Sequence, residues 1–304
     1  MRVALVLLGL CLACVAPVLA TEVSATVLDP FYKFSIGYAP EAPRIDWVQR
    51  AILVTTQVQG EAIPTPVRSR LAARQLALDD ARAQIGAALC QLRLTDYTTL
   101  PDAVETRLLD DDPIPQLLQG VKPVAETWDD TKKNLMLVSA LPLVGIDRVS
   151  EVAARLLTVE QNQLAKGQTP RKHPTIRMIF NSQPAPKQLS AGPYSGVILD
   201  CRKLNYTPVL LPKLLNRDGT EIWGTVGVNT LLVSARNIAI YSRSLKEALA
   251  SGRVGKKPLL IRPIGTAGVS QGDLVLRPED VAVLLNEETN THFLSTLSLA
   301  ILLD

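Results

Sequence analysis

The chain contains few of the residues on which most enzymes and metal sites depend. Its 304 residues include two histidines and four cysteines, and two of those cysteines lie within the first twenty positions. Aromatic residues make up only 4% of the chain and the formal net charge is +3, so base-stacking platforms and basic patches for nucleic acid are not expected. No zinc, phosphate-loop or nucleophile motif is present. We predict a protein that is not an enzyme and has no cofactor, no metal and no nucleic-acid partner.

The first twenty residues have the pattern of a secretory signal peptide. A basic start and an apolar run lead to small residues that end at Ala20, which predicts cleavage before Thr21. Lipidation at Cys14 is the alternative, but Cys11 stands where lipoprotein leaders carry a large aliphatic residue. We therefore expect an exported protein, periplasmic or associated with the outer membrane, with no membrane span in the mature chain.

Composition divides the rest of the chain into four segments. Residues 21–45 are rich in proline and have no period, which predicts an extended arm. Residues 166–192 contain four prolines and are predicted to be a linker. The segments 46–165 and 193–304 each mix strand-like and helix-like patterns. We predict two small α+β domains, each with a mixed or antiparallel sheet and packed helices.

The clearest helix follows residues 64–66, where Thr65 is the predicted N-cap and Pro66 the first helical residue. The face predicted to pack on a sheet carries apolar residues every seven positions, namely Leu71, Leu78, Ile85 and Leu92. The other elements predicted for this domain are a strand over 47–59, a hairpin with strands at 121–128 and 134–143, and a helix from the N-cap Asp147 to Leu164.

The second domain is predicted to contain shorter elements. Its predicted strands cover residues 195–201, 209–215, 220–224, 258–262, 273–276 and 293–303, with a hairpin turn at 216–219. One short helix is predicted from the shared face of Tyr241, Leu245 and Leu249, and another over 279–285. The glycine-rich segment 265–272 has the spacing of no phosphate-binding motif and is predicted to be a flexible connection.

Two pairs of residues are candidates for a specific role. Cys90 and Cys201 form a disulfide if export brings them together, or else they are two separate buried thiols. Asp200 and Arg202 lie at the end of a predicted strand, where they belong either to a ligand site or to a structural ion pair.

Other candidates for chemistry are poorly placed. His173 falls in the proline-rich linker and His292 in a loop, so neither is expected to serve as the base of a catalytic triad. A sugar-binding platform requires the three tryptophans, Trp47, Trp128 and Trp223, to meet in one cleft. They are spread over both predicted domains, so packing within the core or an interface is their expected role.

Residues 46–165 resemble the LPP20 family. The resemblance rests on the strand after Trp47, on Gly60, on the helix Arg70-Leu-Ala-Ala-Arg-Gln-Leu-Ala-Leu-Asp-Asp-Ala-Arg-Ala-Gln-Ile, and on the later Leu135-Met-Leu-Val-Ser-Ala-Leu-Pro-Leu. That family includes bacterial envelope lipoproteins, and its fold is similar to the N-terminal domain of the flagellar assembly protein FlgT.

The second half resembles the domain that accompanies this family in several exported bacterial proteins. The matching runs begin at Ser195, Pro208 and Glu221, and Lys203 departs from the pattern by replacing a glycine. The resemblance implies no enzymatic activity and no catalytic residues. It implies a structural or assembly role in the envelope or the flagellum, through contacts with envelope or flagellar basal-body proteins or by self-association. The alternative is a periplasmic module that binds a small ligand or glycan in a cleft between the domains.

Overall fold

The computed structural model describes residues 26–29, 42–59, 66–167, 177–181 and 183–304. Its helices are α1 (Pro66–Gln91), α2 (Leu100–Glu105), α3 (Ile114–Leu118), α4 (Val149–Ala165), α5 (Thr230–Arg236), α6 (Leu245–Ala250) and α7 (Pro278–Thr291). Its strands are β1 (Thr26–Val27), β2 (Arg44–Asp46), β3 (Ala51–Gln59), β4 (Lys122–Asp129), β5 (Asn134–Pro142), β6 (Met178–Phe180), β7 (Gly196–Asp200), β8 (Leu214–Leu215), β9 (Glu221–Trp223), β10 (Ile240–Ser242), β11 (Pro258–Ile261), β12 (Gly265–Ala267), β13 (Asp273–Val275) and β14 (Leu299–Leu302).

The first sheet is antiparallel, in the order β1-β4-β5-β3-β2. Its centre is the predicted β4–β5 hairpin, which the structure confirms, with Asp129 paired to Asn134 beside the turn. The Asp129 carboxylate accepts the backbone N–H groups of Thr131 and Lys132, which fixes the polar tip. Two short strands from the predicted arm, β1 and β2, lie at the edges of this sheet.

Helix α1 packs across the first sheet, but not with the predicted face. Leu71 is 59% exposed. The buried positions recur every four residues and are Ala73, Ala77, Ala81, Ile85 and Leu89. The seven-residue pattern was therefore wrong for the first part of the helix, because alanines allow the backbone to approach the sheet more closely than leucines do. The predicted N-cap Thr65 lies outside the described residues.

Helix α4 confirms the second predicted helix but not its cap. The N-cap is Arg148, and Asp147 precedes it with a φ of +54°. The apolar side of α4 packs against α5, an element that the sequence did not predict. Ser150 near the start of α4 donates its hydroxyl to the Ser234 carbonyl of α5 at 2.7 Å. The α4–α5 contact therefore joins the N-terminal part of the chain, residues 26–167, to the C-terminal part, residues 177–304.

The C-terminal part contains a four-stranded sheet in the order β10-β14-β7-β11, in which all pairs are parallel. The other sheet, in the order β6-β12-β13-β8-β9, is mixed. The α+β fold class is thus confirmed. Several predicted bounds were wrong: Tyr241 lies in β10 rather than on a helix, residues 265–267 form β12 rather than a flexible connection, α7 extends to Thr291, and only residues 299–302 of the predicted last strand are β-structure.

One buried apolar cluster runs through both parts of the chain. It includes Ile85 and Leu156 from the N-terminal part and Leu199 and Leu274 from the C-terminal part. Backbone hydrogen bonds cross the boundary as well, since the Leu211 N–H donates to the Leu94 carbonyl at 2.7 Å. None of the described helices is both long enough and apolar enough to cross a lipid bilayer.

Candidate functional site

Asp200 and Arg202 form an ion pair at the end of β7. The Asp200 carboxylate lies 2.8 Å from Nε of Arg202 and 2.8 Å from Nη2 of Arg262, which follows β11. Burial alone would raise the pKa of Asp200, but hydrogen bonds from both arginines and their charges lower it overall. Both carboxylate oxygens are occupied, so the observed geometry is that of the structural alternative.

The two candidate cysteines are both free thiols. Cys90 is exposed near the end of α1, whereas Cys201 is buried directly after β7. Burial, followed by the nearby charges of Asp200 and Asp304, raises the pKa of the Cys201 thiol well above its usual range. The two thiols are therefore separate, but only Cys201 is buried as the alternative expected, and its environment suppresses the reactive thiolate.

The remaining sequence candidates lie in separate places. Trp47 packs edge-on against Tyr241 with 5.3 Å between ring centroids, Trp128 donates to Asp130 beside the β4–β5 turn, and Trp223 is buried in β9. His292 is the C-cap of α7, with a φ of +56°. His173 lies outside the described residues. The tryptophans thus have the packing roles expected for them.

Asp96 forms a polar joint between the two parts of the chain. It is fully buried, and its carboxylate accepts the backbone N–H groups of Val269, Ser270 (3.0 Å) and Gly272 (2.7 Å) together with the Ser270 hydroxyl at 2.8 Å. A Cβ atom at Gly268 would lie 2.0 Å from an Asp96 oxygen. The glycine-rich segment is therefore an anion-binding turn whose anion belongs to the protein itself.

A cleft of about 670 Å³ lies on another side of this boundary. One wall is the turn 48–50 of the N-terminal part. The other is built from the end of α5, strand β10 and residues 247–253 of the C-terminal part. Arg50, Arg236 and Arg253 all line it, whereas Glu247 is the only acidic residue among the lining residues. The cleft is therefore electropositive.

Arg253 is the buried cation of this cleft. Its guanidinium donates to the carbonyls of Leu297 (2.5 Å), Arg236 (3.1 Å), Asn237 (2.5 Å) and Ile238 (3.3 Å). The three bonds to residues 236–238 place a positive charge at the end of α5, which favours the helix dipole. Burial, followed by the charges of Arg236 and Arg50, lowers the pKa of Arg253 to about 9, so the guanidinium is charged at neutral pH.

A smaller pocket of about 240 Å³ lies between α4 and β9. Lys213 is its central charge and lies 3.1 Å from Glu221 and 4.0 Å from Glu160. Burial lowers the pKa of Lys213, but the two glutamates outweigh that effect and raise it. Because both carboxylates face the same ammonium group, the pocket is an internally compensated cluster that joins the two parts.

The edges of the two C-terminal sheets differ in how they are covered. The outer edge of β11 is capped by the side chain of Gln188, which donates to the Leu260 carbonyl at 2.7 Å and accepts the Leu260 N–H at 3.0 Å. No strand in the described part of the chain pairs with the outer edge of β6, where Phe180 is 52% exposed. An open edge with an exposed aromatic side chain is typical of a surface that pairs with another strand.

Comparison with known families gives a match to the C-terminal part of the chain. Residues 196–304 match the family model of the second domain of Treponema pallidum Tp0624, a spirochaete protein. The matched region starts at the first residue of β7 and includes the parallel sheet and two of the three cleft arginines. No curated protein matches the chain. The match does not extend to residues 46–165, so the LPP20 resemblance stays a prediction.

Sequence reasoning did not identify the cleft arginines or the Asp96 joint. The three arginines come from a turn, a helix end and a loop, and no local pattern connects them. The glycine spacing of the 265–272 segment was a usable signal for an anion-binding turn. It could not show that the anion is Asp96, which lies more than 170 positions away in sequence.

Proposed function

We propose that this is a non-enzymatic, exported protein of the bacterial cell envelope that acts by contact with other proteins. In this proposal its partners are envelope or flagellar basal-body proteins, or a second copy of the chain. The protein is periplasmic or associated with the outer membrane, and a lipid anchor at Cys14 is the less favoured alternative.

Two likenesses support this proposal at different levels. The match of residues 196–304 to a domain of a spirochaete protein supports a bacterial origin. The resemblance of residues 46–165 to the LPP20 family, and through its fold to the FlgT N-terminal domain, supports the envelope and flagellar role. Neither likeness supplies a catalytic residue.

The open edge of β6 is the observation that carries the proposal. Gln188 covers the edge of β11, whereas no strand within the described ranges pairs with the outer edge of β6, beside the exposed Phe180. Proteins commonly protect such edges because they pair with other chains. An edge left open next to an aromatic side chain suits β-strand addition, in which backbone hydrogen bonds provide affinity and side-chain pockets provide specificity.

The test is site-specific photocrosslinking of the full chain in the bacterium that makes it. A photoreactive phenylalanine analogue replaces Phe180, and the matched control places it at Leu285, which is 45% exposed on α7. We expect discrete crosslinked species from position 180, identified by mass spectrometry as an envelope protein or a second copy, and none from position 285. Absence of crosslinks at 180, or the same pattern from both positions, would contradict the proposal.

A second candidate function rests on the arginine-lined cleft. A cleft of about 670 Å³ is in the usual size range of small-ligand sites. The candidate is a periplasmic module that binds a small ligand or a glycan between the two parts of the chain. Co-purification of a small molecule with the full chain, in the absence of a protein crosslinked at position 180, would favour it.

A further inference from the structure

The cleft between the two parts of the chain is lined by three arginines and one glutamate, so its net charge is positive. Arg50, Arg236 and Arg253 line it, and no carboxylate in the described residues lies within ion-pair distance of any of the three. Other charged side chains in the interior do have ion-pair partners, as in the cluster around Lys213 and the pair at Asp200. Arg253 is bonded only to neutral carbonyls instead and borders a cleft with two further arginines.

The position of Arg253 makes its charge available to the cleft. Four N–H···O bonds to backbone carbonyls hold the guanidinium rigidly, and they offset part of its desolvation. Carbonyl groups are neutral, so the full positive charge remains. Because four of its five N–H groups donate to carbonyls, Arg253 acts on an anion in the cleft through its charge and through one remaining Nη1 hydrogen.

The neighbours of Arg253 strengthen the attraction for an anion. Arg236 is half-buried and Arg50 is exposed, and both act on Arg253 as like charges. Placing three like charges around one cleft costs stability unless an anion occupies it. Glu247 reduces the net charge of the wall, but its carboxylate already accepts the Arg243 N–H at 3.0 Å.

We propose that the cleft lined by Arg50, Arg236 and Arg253 is a binding site for a small organic anion that carries a phosphate or carboxylate group. Ile240 and Tyr241 also line this cleft, beside the arginines. The site lies apart from the β6 edge, and its existence does not depend on the protein contacts proposed above.

The test is isothermal titration of the full mature chain with two probes, inorganic phosphate and citrate, at constant ionic strength. We expect saturable binding of at least one probe with one site per chain. Arg236→Gln and Arg50→Gln should each weaken it about tenfold or more, because each removes a charge from the site. Glu247→Gln should tighten it, because it removes the opposing charge while keeping an oxygen acceptor for the Arg243 N–H.

The matched control is Arg217→Gln, which removes the same charge from an exposed hairpin turn. It should change the affinity less than about twofold if binding is local to the cleft. The stronger of the two probes shows whether phosphate or carboxylate is preferred. Absence of saturable binding of both probes, or equal weakening by Arg217→Gln and Arg236→Gln, would overturn the proposal. Because Arg253 also holds the end of α5, Arg253→Gln is not used.

Discussion

Asp96 and Arg253 are two buried charges whose surroundings differ. Both lie where the N-terminal and C-terminal parts meet, and neither has an ion-pair partner among the described residues. Each is held by backbone groups instead: Asp96 by N–H donors of the turn 269–272, and Arg253 by carbonyls around the end of α5.

The difference lies in what surrounds the two charges. Asp96 is fully enclosed, and its oxygens are saturated by a turn from the other part of the chain. Arg253 borders a cleft of about 670 Å³ and has two further arginines beside it. Because the donors around Asp96 come from another segment, its charge joins the two segments. Arg253 faces a cleft together with like charges, an arrangement that favours an external anion.

The largest expected effect on stability is at Asp96, the enclosed carboxylate. Asp96→Ala leaves three backbone N–H groups and the Ser270 hydroxyl without their acceptor, so we expect a loss of roughly 3–5 kcal/mol in the free energy of unfolding. Urea denaturation measures it. The control Asp112→Ala removes an exposed carboxylate that accepts only the Ile114 N–H and should cost about 1 kcal/mol or less. Similar losses for both variants would show that the Asp96 joint contributes little.

A second prediction concerns the glycine that lets this joint close. In Gly268→Ala the new Cβ would lie 2.0 Å from an Asp96 oxygen, at a backbone φ of +100°. We expect a loss of about 2–4 kcal/mol in urea denaturation. Gly227→Ala is the matched control, because its φ is +76° but no atom lies within 4 Å of the new Cβ.

That control isolates the backbone strain, which should cost about 1 kcal/mol. In addition, Gly268→Ala should cost less in an Asp96→Ala background than in the wild type, since the clashing carboxylate is then absent. Additive losses in the double variant would contradict the proposed contact.

The third prediction uses Asp273, which lies between the joint and the Lys213 cluster. Burial raises its pKa to about 7, despite the hydrogen bond from the Lys213 N–H. An acid with a raised folded-state pKa binds its proton more tightly in the folded state. Stability from this group is therefore lost as pH rises from about 4 through 7.

Asp273→Asn should remove this pH dependence while keeping an oxygen for the Lys213 N–H. Relative to wild type, the variant should gain about 2–3 kcal/mol of stability between pH 5 and pH 8. Urea denaturation at the two pH values measures the gain. If the difference in the free energy of unfolding between wild type and variant is the same at pH 5 and at pH 8, Asp273 does not titrate in this range.

The smallest expected effect on stability is at Arg236, which lies beside Arg253 in the cleft. Without added anion, Arg236→Gln should raise the free energy of unfolding by about 0.5 kcal/mol, because it removes a charge that repels Arg253. This gain should shrink in high salt. The control Arg217→Gln should change stability by less than that. A destabilised Arg236→Gln variant at low salt would indicate that this side chain has a structural role instead.

Elements with a local sequence signal were predicted, whereas elements whose positions depend on residues distant in sequence were not. The β4–β5 hairpin and α4 were predicted because a polar turn and an apolar stripe are local signals. Helix α5 and strand β10 have seven and three residues, too few for a period to be recognised. Strands β7, β11 and β14 lie within predicted strands, but no local signal predicted their order in the sheet. Their places are decided by neighbours distant in sequence, as when β7 lies between β14 and β11.

The candidate sites were predicted only where neighbouring residues formed them. Asp200 and Arg202 are two positions apart and do form an ion pair, although their second partner Arg262 was not foreseen. The buried face of α1 was predicted from its leucines, because leucine is more hydrophobic than alanine. The helix instead buries Ala77 and Ala81, since their small side chains allow close approach to the sheet.

The difference between the enclosed Asp96 and the cleft-facing Arg253 is tested most directly by thermal unfolding of the full mature chain, with phosphate or citrate replacing chloride at constant ionic strength. A ligand that binds the folded state raises the midpoint of unfolding. We expect at least one of the two anions to raise the midpoint of the wild type and of Arg217→Gln, and Arg236→Gln to lose most of this rise. An unchanged wild-type midpoint with both anions, or an equal rise in all three proteins, would contradict this expectation.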